Sequence, residues 1–406
     1  MTESPTLASV TRASTTAAPN PAVTGPADIV LARGTGQGYL SANGTQLVDE
    51  NGDVVRLTGI NWFGNETEDQ TFHGLWSDQP WTDQIDQMAS LGFNTIRVPY
   101  ADGMVEPGAT PTNINRTSNG DLVGLTSLEI LDRVVERAGD RGMRVLLNRY
   151  SPTPSSQTAL WYTEDVPESD WIENWQVLAE RYRGNPVVIG ADLHNSPHAE
   201  GRSSEPAGAC WGCDDPRRDW RLAAERAGNA IHEVNPDWLV VVQGVSCVSG
   251  GSPGPENPDE TCGWWGGNLS QAGDRPVTLA ATDKLVYATQ DYGTSVSSEQ
   301  PWLVDRDFPD TLRPFWREQW GYLLEDGIAP VLVGQFGSTL DDPIDREWMP
   351  RLVEYLDETG AGFAYWSWNP NSDSTGGIVG EDWATVEARR YDIVRDSLVA
   401  PVPGAP

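Results

Sequence analysis

Eight short runs govern what this chain can fold into: VVRLTGINW, NTIRVPY, MRVLLNRY, VVIGADLHN, WLVVVQGV, KLVYATQDY, APVLVGQFG and GFAYWSWNP. Each is rich in β-branched and aromatic residues and apolar nearly throughout, the pattern of a strand covered on both faces. Between most of them lie stretches with apolar residues at i, i+3/i+4 and i+7, among them SLEILDRVVERAGDRG, DWRLAAERAGNAIHEVNP and REWMPRLVEYLDETG. These end at Gly or before Pro, as helices do. Strands that alternate with helices pair in parallel, and eight of them make an α/β fold, a (β/α)8 TIM barrel with long top-face loops. The weak link is 246–283, Gly/Pro-rich and without a helical period. Upstream, GYLSANGTQLVDENGDVVRL alternates and carries Asn-Gly at 43–44 and 51–52, which predicts an N-terminal β-hairpin.

Residues 1–37, rich in Ser, Thr, Ala and Pro, read as a disordered linker with neither the basic nor the apolar region of a signal peptide. The barrel is expected over 38–401, with 402–406 as a tail and no second domain or internal repeat. No apolar run approaches the ~20 residues of a membrane helix. The 59 Asp and Glu against 27 Lys and Arg give a formal charge of −32. That field repels nucleic acid and anionic membranes, so neither is expected as a partner. Lys284 is the single lysine, and an acidic, lysine-poor surface suits high salt; a halophilic source is the expectation, against a GC-rich genome that favours Arg codons.

The four cysteines stand as Cys210-x-x-Cys213 and Cys247…Cys262. A redox or zinc site needs a βα context or two further ligands, so two local disulfides are the favoured reading. They imply an oxidising, extracellular setting. No metal or cofactor is expected.

In such a barrel the functional residues sit at the carboxyl ends of the strands. Those ends read Asn61-Trp62, Arg97 to Tyr100, Asn148-Arg149-Tyr150, His194 to His198, Gln243, Gln290-Asp291-Tyr292, Gln335-Phe336-Gly337 and Trp366 to Asn369. Indole faces stack on pyranose rings while amides, Tyr and Arg bond sugar hydroxyls, so this set reads as a sugar-binding surface.

Residues 38 to about 400 resemble the bacterial endoglucanases of glycoside hydrolase family 5, in LTGINWFGNET, HGLWS, LGFNTIRVPY, ALWYT, CWGCDDPRRDWRLAAERAGNAI, WWGGNL, WGYLLEDGIAPV and WSWNP. The resemblance implies a clan-A barrel with a β-1,4-glucan cleft and a retaining mechanism. In that mechanism one Glu protonates the leaving oxygen and a second attacks the anomeric carbon from about 5–5.5 Å. Carried over by position, the acid/base is Ser196 and the nucleophile Gln335. The supporting shell is changed at Asn148, Tyr150, Gln243 and Gln290, while Asn61, Trp62, His73, Arg97, Asn195, Tyr292 and Trp366 remain as implied substrate-binding residues. The resemblance also implies a cis peptide at Trp366-Ser367.

A serine hydroxyl is too weak an acid and a glutamine amide too poor a nucleophile for this chemistry. The expectation is therefore a catalytically inactive, monomeric, secreted β-glucan-binding pseudoenzyme. The alternatives are an active endo-β-1,4-glucanase using other carboxylates, from Glu66, Asp192, Glu200, Asp291 and Asp373, or a structural or protein-binding domain with a vestigial cleft. Ser196 lacks the Gly-x-Ser-x-Gly turn of a serine hydrolase.

Overall fold

In a computed structural model, described for residues 34–154, 156–253 and 260–404, eight parallel strands close into a barrel. They are β1 (Thr58–Asn61), β2 (Thr95–Ala101), β3 (Arg144–Ser151), β4 (Val188–Asp192), β5 (Leu239–Gln243), β6 (Leu285–Tyr292), β7 (Val331–Gly337) and β8 (Gly362–Tyr365). Each pairs with its successor, and β8 returns to β1 through Phe363↔Thr58, Ala364↔Gly59 and Tyr365↔Ile60. Burial is complete along β2, β4, β5 and β7, which is why those runs lack polar alternation. Of the linker expected over 1–37, residues 1–33 lie outside the described residues.

Helices α1 (Trp81–Ser90), α2 (Ser127–Asp140), α3 (Glu168–Arg181) and α4 (Trp220–Val234) follow β1 to β4, with α2 and α4 on stretches read from their period. Thr126 caps α2 in a reciprocal box with Glu129. After β7, Pro343–Thr359 starts at an Asp342 cap and stops at Gly360, whose φ of 72° ends the helix left-handed. Between β5 and β6 the described residues form no helix, and there the chain is tied by the Cys247–Cys262 disulfide. The second disulfide, Cys210–Cys213, sits in the turn before α4. Among the described residues no helix is long and apolar enough to cross a membrane.

The predicted hairpin is a three-stranded sheet, Ser41–Asn43, Gln46–Val48 and Val54–Val55, turning at Gly44 and Gly52 with φ of 62° and 83°. It plugs the amino-terminal end of the barrel. Leu40, Leu47, Val55 and Leu57 join Leu146, Leu239, Val241, Val286 and Leu332 from the strands in an apolar cluster distinct from the main core. Lys284, just before β6, donates Nζ to the Leu40 carbonyl and the Ser41 hydroxyl, both at 2.9 Å. Arg144 bonds the carbonyls of Thr35, Gly38 and Pro186 at 2.7–3.0 Å. With this end closed, the carboxyl ends of the strands form the open mouth.

Adjacent strands approach closely at Gly190 in β4, where an added Cβ would stand 2.1 Å from the Leu239 carbonyl oxygen of β5. Gly190→Ala should force the two strands apart and lower unfolding free energy by about 2 kcal/mol or more in a urea titration. An unchanged midpoint would show that the barrel yields there at no cost.

Candidate active site at the barrel mouth

The mouth is built upward from a buried ion pair. Arg97 on β2 and Asp192 at the end of β4 are both fully buried, and Arg97 Nε and Nη2 donate to Asp192 Oδ2 at 2.9 and 2.7 Å. Arg97 Nη1 also donates to Asn61 Oδ1 at 2.8 Å, and Asn61 in turn holds carbonyls of β7 and β8. Above the pair lies a layer of amides. Gln243 Nε2 donates to Asp192 Oδ1 at 3.0 Å, and its Oε1 accepts from the Ser196 N–H at 2.8 Å and from Gln290 Nε2 at 2.8 Å. Asn195 Oδ1 accepts from Gln335 Nε2 at 2.9 Å, and Tyr292 donates its hydroxyl to Gln335 Oε1 at 2.9 Å.

Ser196 sits at the centre of this floor with φ of 58°, a left-handed conformation rare for a residue with a side chain. Gly266 presses on it from the β5–β6 loop, donating its N–H to the Pro197 carbonyl at 3.0 Å. A Cβ at Gly266 would meet Gln243 Oε1 at 2.6 Å and Gln290 Nε2 at 2.7 Å, so this close approach requires glycine.

A cleft of about 680 Å³ opens over the floor, lined by Ser196, Gln290, Tyr292 and Gln335 below and by Phe63, Glu66, Tyr150, Trp264, Trp265 and Trp366 on its walls. Trp366 stacks with Phe63 (ring centroids 5.4 Å apart, planes 9° apart) and with Tyr150 (5.9 Å, 21°). Its peptide bond to Ser367 is cis, as the resemblance implies. Trp265, half exposed, stacks on His198 at 3.8 Å.

Glu66, in the loop after β1, is the one carboxyl group among the described residues of this lining. Burial pushes its pKa up from 4.5 to about 7, against the lowering pull of the Gly64 N–H that donates to Oε2 at 2.7 Å. Asp291 is likewise raised by burial, to about 7, but it faces away from the mouth and accepts from the indoles of Trp316 and Trp348. Glu200 and Asp373 are exposed, outside the lining. His194 accepts from Arg149, which is itself clamped by Asp102, so burial and that cation keep the imidazole neutral. Among the described residues no group of three or more His, Cys, Asp or Glu is gathered as metal ligands.

The residues read from sequence divide by depth. Ser196, Tyr150, Gln290, Tyr292, Gln335 and Trp366 line the cleft. Asn195 and Gln243 lie in its floor, bonded to the lining residues, and Asn148 beneath them leaves Oδ1 unpartnered. Asn61 and Arg97, expected to touch substrate, are fully buried and spent on each other and on Asp192. Trp62 is core: it packs on Phe72 and donates Nε1 to the His73 carbonyl at 2.9 Å. His73 lies beside the cleft, between Thr67 and Asn371. Reading strand ends without the in-out alternation sets Trp62 on the wrong side of the sheet. Phe63, Trp264 and Trp265 went unread, although NWFGNET and WWGGNL carry them in loops that leave strand ends.

A closed parallel barrel whose mouth is a cleft of amides and stacked aromatics is a carbohydrate-active barrel of the glycoside hydrolase class. The pattern of the cellulases, glycosyl hydrolase family 5, matches residues 48–372, and the chain belongs to that family. It is 43% identical over 361 residues to an endoglucanase of Paenibacillus polymyxa, covering 88% of this chain and 86% of that one. It is 37% identical over 375 residues to the major extracellular endoglucanase of Xanthomonas campestris pv. campestris, 90% of this chain and 72% of the other. Among solved structures, a hyperthermophilic endocellulase from the archaeon Pyrococcus horikoshii superposes with a TM-score of 0.82 at 38% identity, over 89% of this chain and 99% of that one. A cellotetraose complex of endocellulase from that organism gives the same score.

These relatives overturn the expectation of a catalytically inactive binding protein, because they are named as endoglucanases and endocellulases along almost the whole barrel. That expectation rested on Ser196 and Gln335 and ranked hydrolysis by the other rim carboxyls, Glu66 among them, as the alternative. The cleft keeps a buried carboxyl in Glu66.

Two outcomes test this description. Arg97→Met strands the Asp192 charge beneath the floor and should cost about 3–5 kcal/mol of stability by denaturant titration; a loss under 1 kcal/mol would show that the pair does not carry the floor. Glu66, with its pKa raised from 4.5 to about 7, binds its proton more tightly folded than unfolded, so stability falls as pH rises through that window. Between pH 5 and 8 the native chain should lose about 2–3 kcal/mol that Glu66→Gln does not lose. Parallel pH profiles for the two proteins would mean that Glu66 titrates as an ordinary carboxyl.

Proposed function

We propose that this chain is an endo-acting β-1,4-glucan hydrolase that takes a run of glucose units across the barrel mouth. What carries this reading is an aromatic-walled cleft open along that mouth, on a chain 43% identical to an endoglucanase over nearly its whole length. The volume of about 680 Å³ is in the range of ligand sites, ~300–1,000 Å³. Trp366, Phe63 and Tyr150 offer near-parallel ring faces for sugars, and Gln290, Gln335 and Tyr292 offer hydrogen bonds to hydroxyls.

In this reading Ser196 and Gln335 stand where the resemblance puts the paired carboxylates, and they position substrate instead of exchanging protons with it. Ser196 Oγ accepts from Asn195 Nδ2 at 2.8 Å and from Gln290 Nε2 at 2.7 Å. Both lone pairs are thereby engaged, and the hydroxyl hydrogen is left to donate into the cleft. The acid must then come from another carboxyl. The Cys210–Cys213 and Cys247–Cys262 disulfides support action outside the cell, and the charge of −32 supports a salt-rich setting.

The test is incubation of the purified chain with cellohexaose at high salt, with chromatography of the products. Shorter cello-oligosaccharides are expected, and Trp366→Ala should weaken cellohexaose binding about tenfold, the equivalent of ~1.4 kcal/mol of ring contact. A hexamer that stays intact after prolonged incubation would refute the hydrolase reading.

A further inference from the structure

We infer that Glu66 is the proton donor for glycosidic cleavage in this cleft, an inference that rests on the hydrolase reading above. An acid must reach the leaving oxygen of a bound sugar, and Glu66 is the one carboxyl among the described residues lining the cleft. The other candidates are committed or misplaced. Asp192 lies under the floor with its oxygens taken by Arg97 and Gln243. Asp291 is behind β6, clamped by two indoles, and Glu200 and Asp373 stand in solvent.

The local backbone is built to aim Glu66. Gly64 has φ of 137°, and a Cβ there would stand 2.3 Å from the His73 nitrogen and 2.4 Å from the Thr71 carbonyl oxygen. Only glycine allows the loop to fold back so tightly, and the same turn points the Gly64 N–H at Glu66 Oε2. The carboxyl is thus held by its own loop, not by a cation. Across from it is the Tyr150 phenol on β3, which burial and the Glu66 charge both push up, so it stays neutral. His73, in the same loop, is held neutral by burial despite Asp69 nearby, and the Arg97 charge is engaged by Asp192. Burial without an opposing charge leaves the group protonated below about pH 7, a value suited to general acid work at neutral pH.

The step is a hydrolysis with water as co-reactant. The Glu66 carboxyl gives its proton to the glycosidic oxygen. The bond from that oxygen to the anomeric carbon breaks, and its electron pair leaves with the oxygen as the free hydroxyl of the departing sugar. A water oxygen bonds the anomeric carbon and releases its proton to solvent, and solvent returns a proton to the Glu66 carboxylate. Neither Ser196 nor Gln335 changes its protonation.

The experiment is cellohexaose hydrolysis by the intact chain, Glu66→Gln, Glu66→Asp and Glu200→Gln, with calorimetric cellohexaose binding measured on each. Expected are a rate loss of about 10²–10⁴-fold in Glu66→Gln with affinity held within about threefold, partial retention in Glu66→Asp, and no change in Glu200→Gln. The native rate should fall as pH rises through about 7, where the acid form is lost. Glu66→Gln cutting at the native rate, or a native pH profile flat from 5 to 9, would overturn the assignment while leaving the hydrolase reading in place. No product from the native chain would overturn both.

Discussion

The mouth of this barrel hangs from one buried ion pair, Arg97 with Asp192. Two charges at full burial are costly, and such a pair persists only where every remaining donor and acceptor is met. Here Asn61 takes the Arg97 Nη1 hydrogen, and Gln243 occupies the second Asp192 oxygen. Burial raises the Asp192 pKa, and the guanidinium opposes it. Satisfying this pair sets the direction of each amide above it. Asn195 Oδ1 receives hydrogens from Gln335, Gln243 and Arg97, which turns its Nδ2 towards Ser196. Gln290 adds a second donor to the same hydroxyl. The result is a floor whose amides are held in place by hydrogen bonds, with the Ser196 hydroxyl hydrogen left to the cleft.

The two ends of the barrel are made from opposite chemistries, and that division is what allows a polar floor at all. The amino-terminal end is sealed by Leu40, Leu47, Val55 and Leu57 of the hairpin sheet against apolar strand residues. Its polar backbone is satisfied from the side by Lys284 and Arg144. Water is thereby kept out below, so the ion pair and the amides feel a low dielectric in which their hydrogen bonds are strong and geometry-bound.

The architecture was legible because period and length carry it: eight doubly buried runs, amphipathic stretches such as the one that stops at Gly360, and Asn-Gly turns at Gly44 and Gly52. Even the missing helix between β5 and β6 showed as a loss of period, and the cysteine spacing foretold which loops are tied. Depth was harder to read. Asn61 and Arg97 point into the barrel below the cleft while Trp62 points outward to Phe72, a distinction that composition does not encode. Glu66 was one of five carboxylates near the rim, in a chain with 59 acids. Nothing linear separates it from Glu200; only the fold-back at Gly64 does.

Comparison of Glu66 with Asp192 explains why a catalytic role is poorly predicted by position alone. Both are buried carboxyls at the same mouth. The Asp192 carboxylate meets a guanidinium and the Gln243 amide, while Asn148 bonds its backbone carbonyl, and it is consumed as structure. Glu66 meets main-chain N–H groups and aromatic walls, so burial dominates and lifts its pKa to about 7. An acid at pH 7 is made by desolvation without a counter-charge, and a barrel mouth can supply that condition at any loop that folds inward. Neutral Ser196 and Gln335 contribute to it: carboxylates at those positions would face Glu66 with negative charge across the cleft. With the floor uncharged, the proton on Glu66 is governed by burial and by its own loop, independently of the residues that grip the sugar.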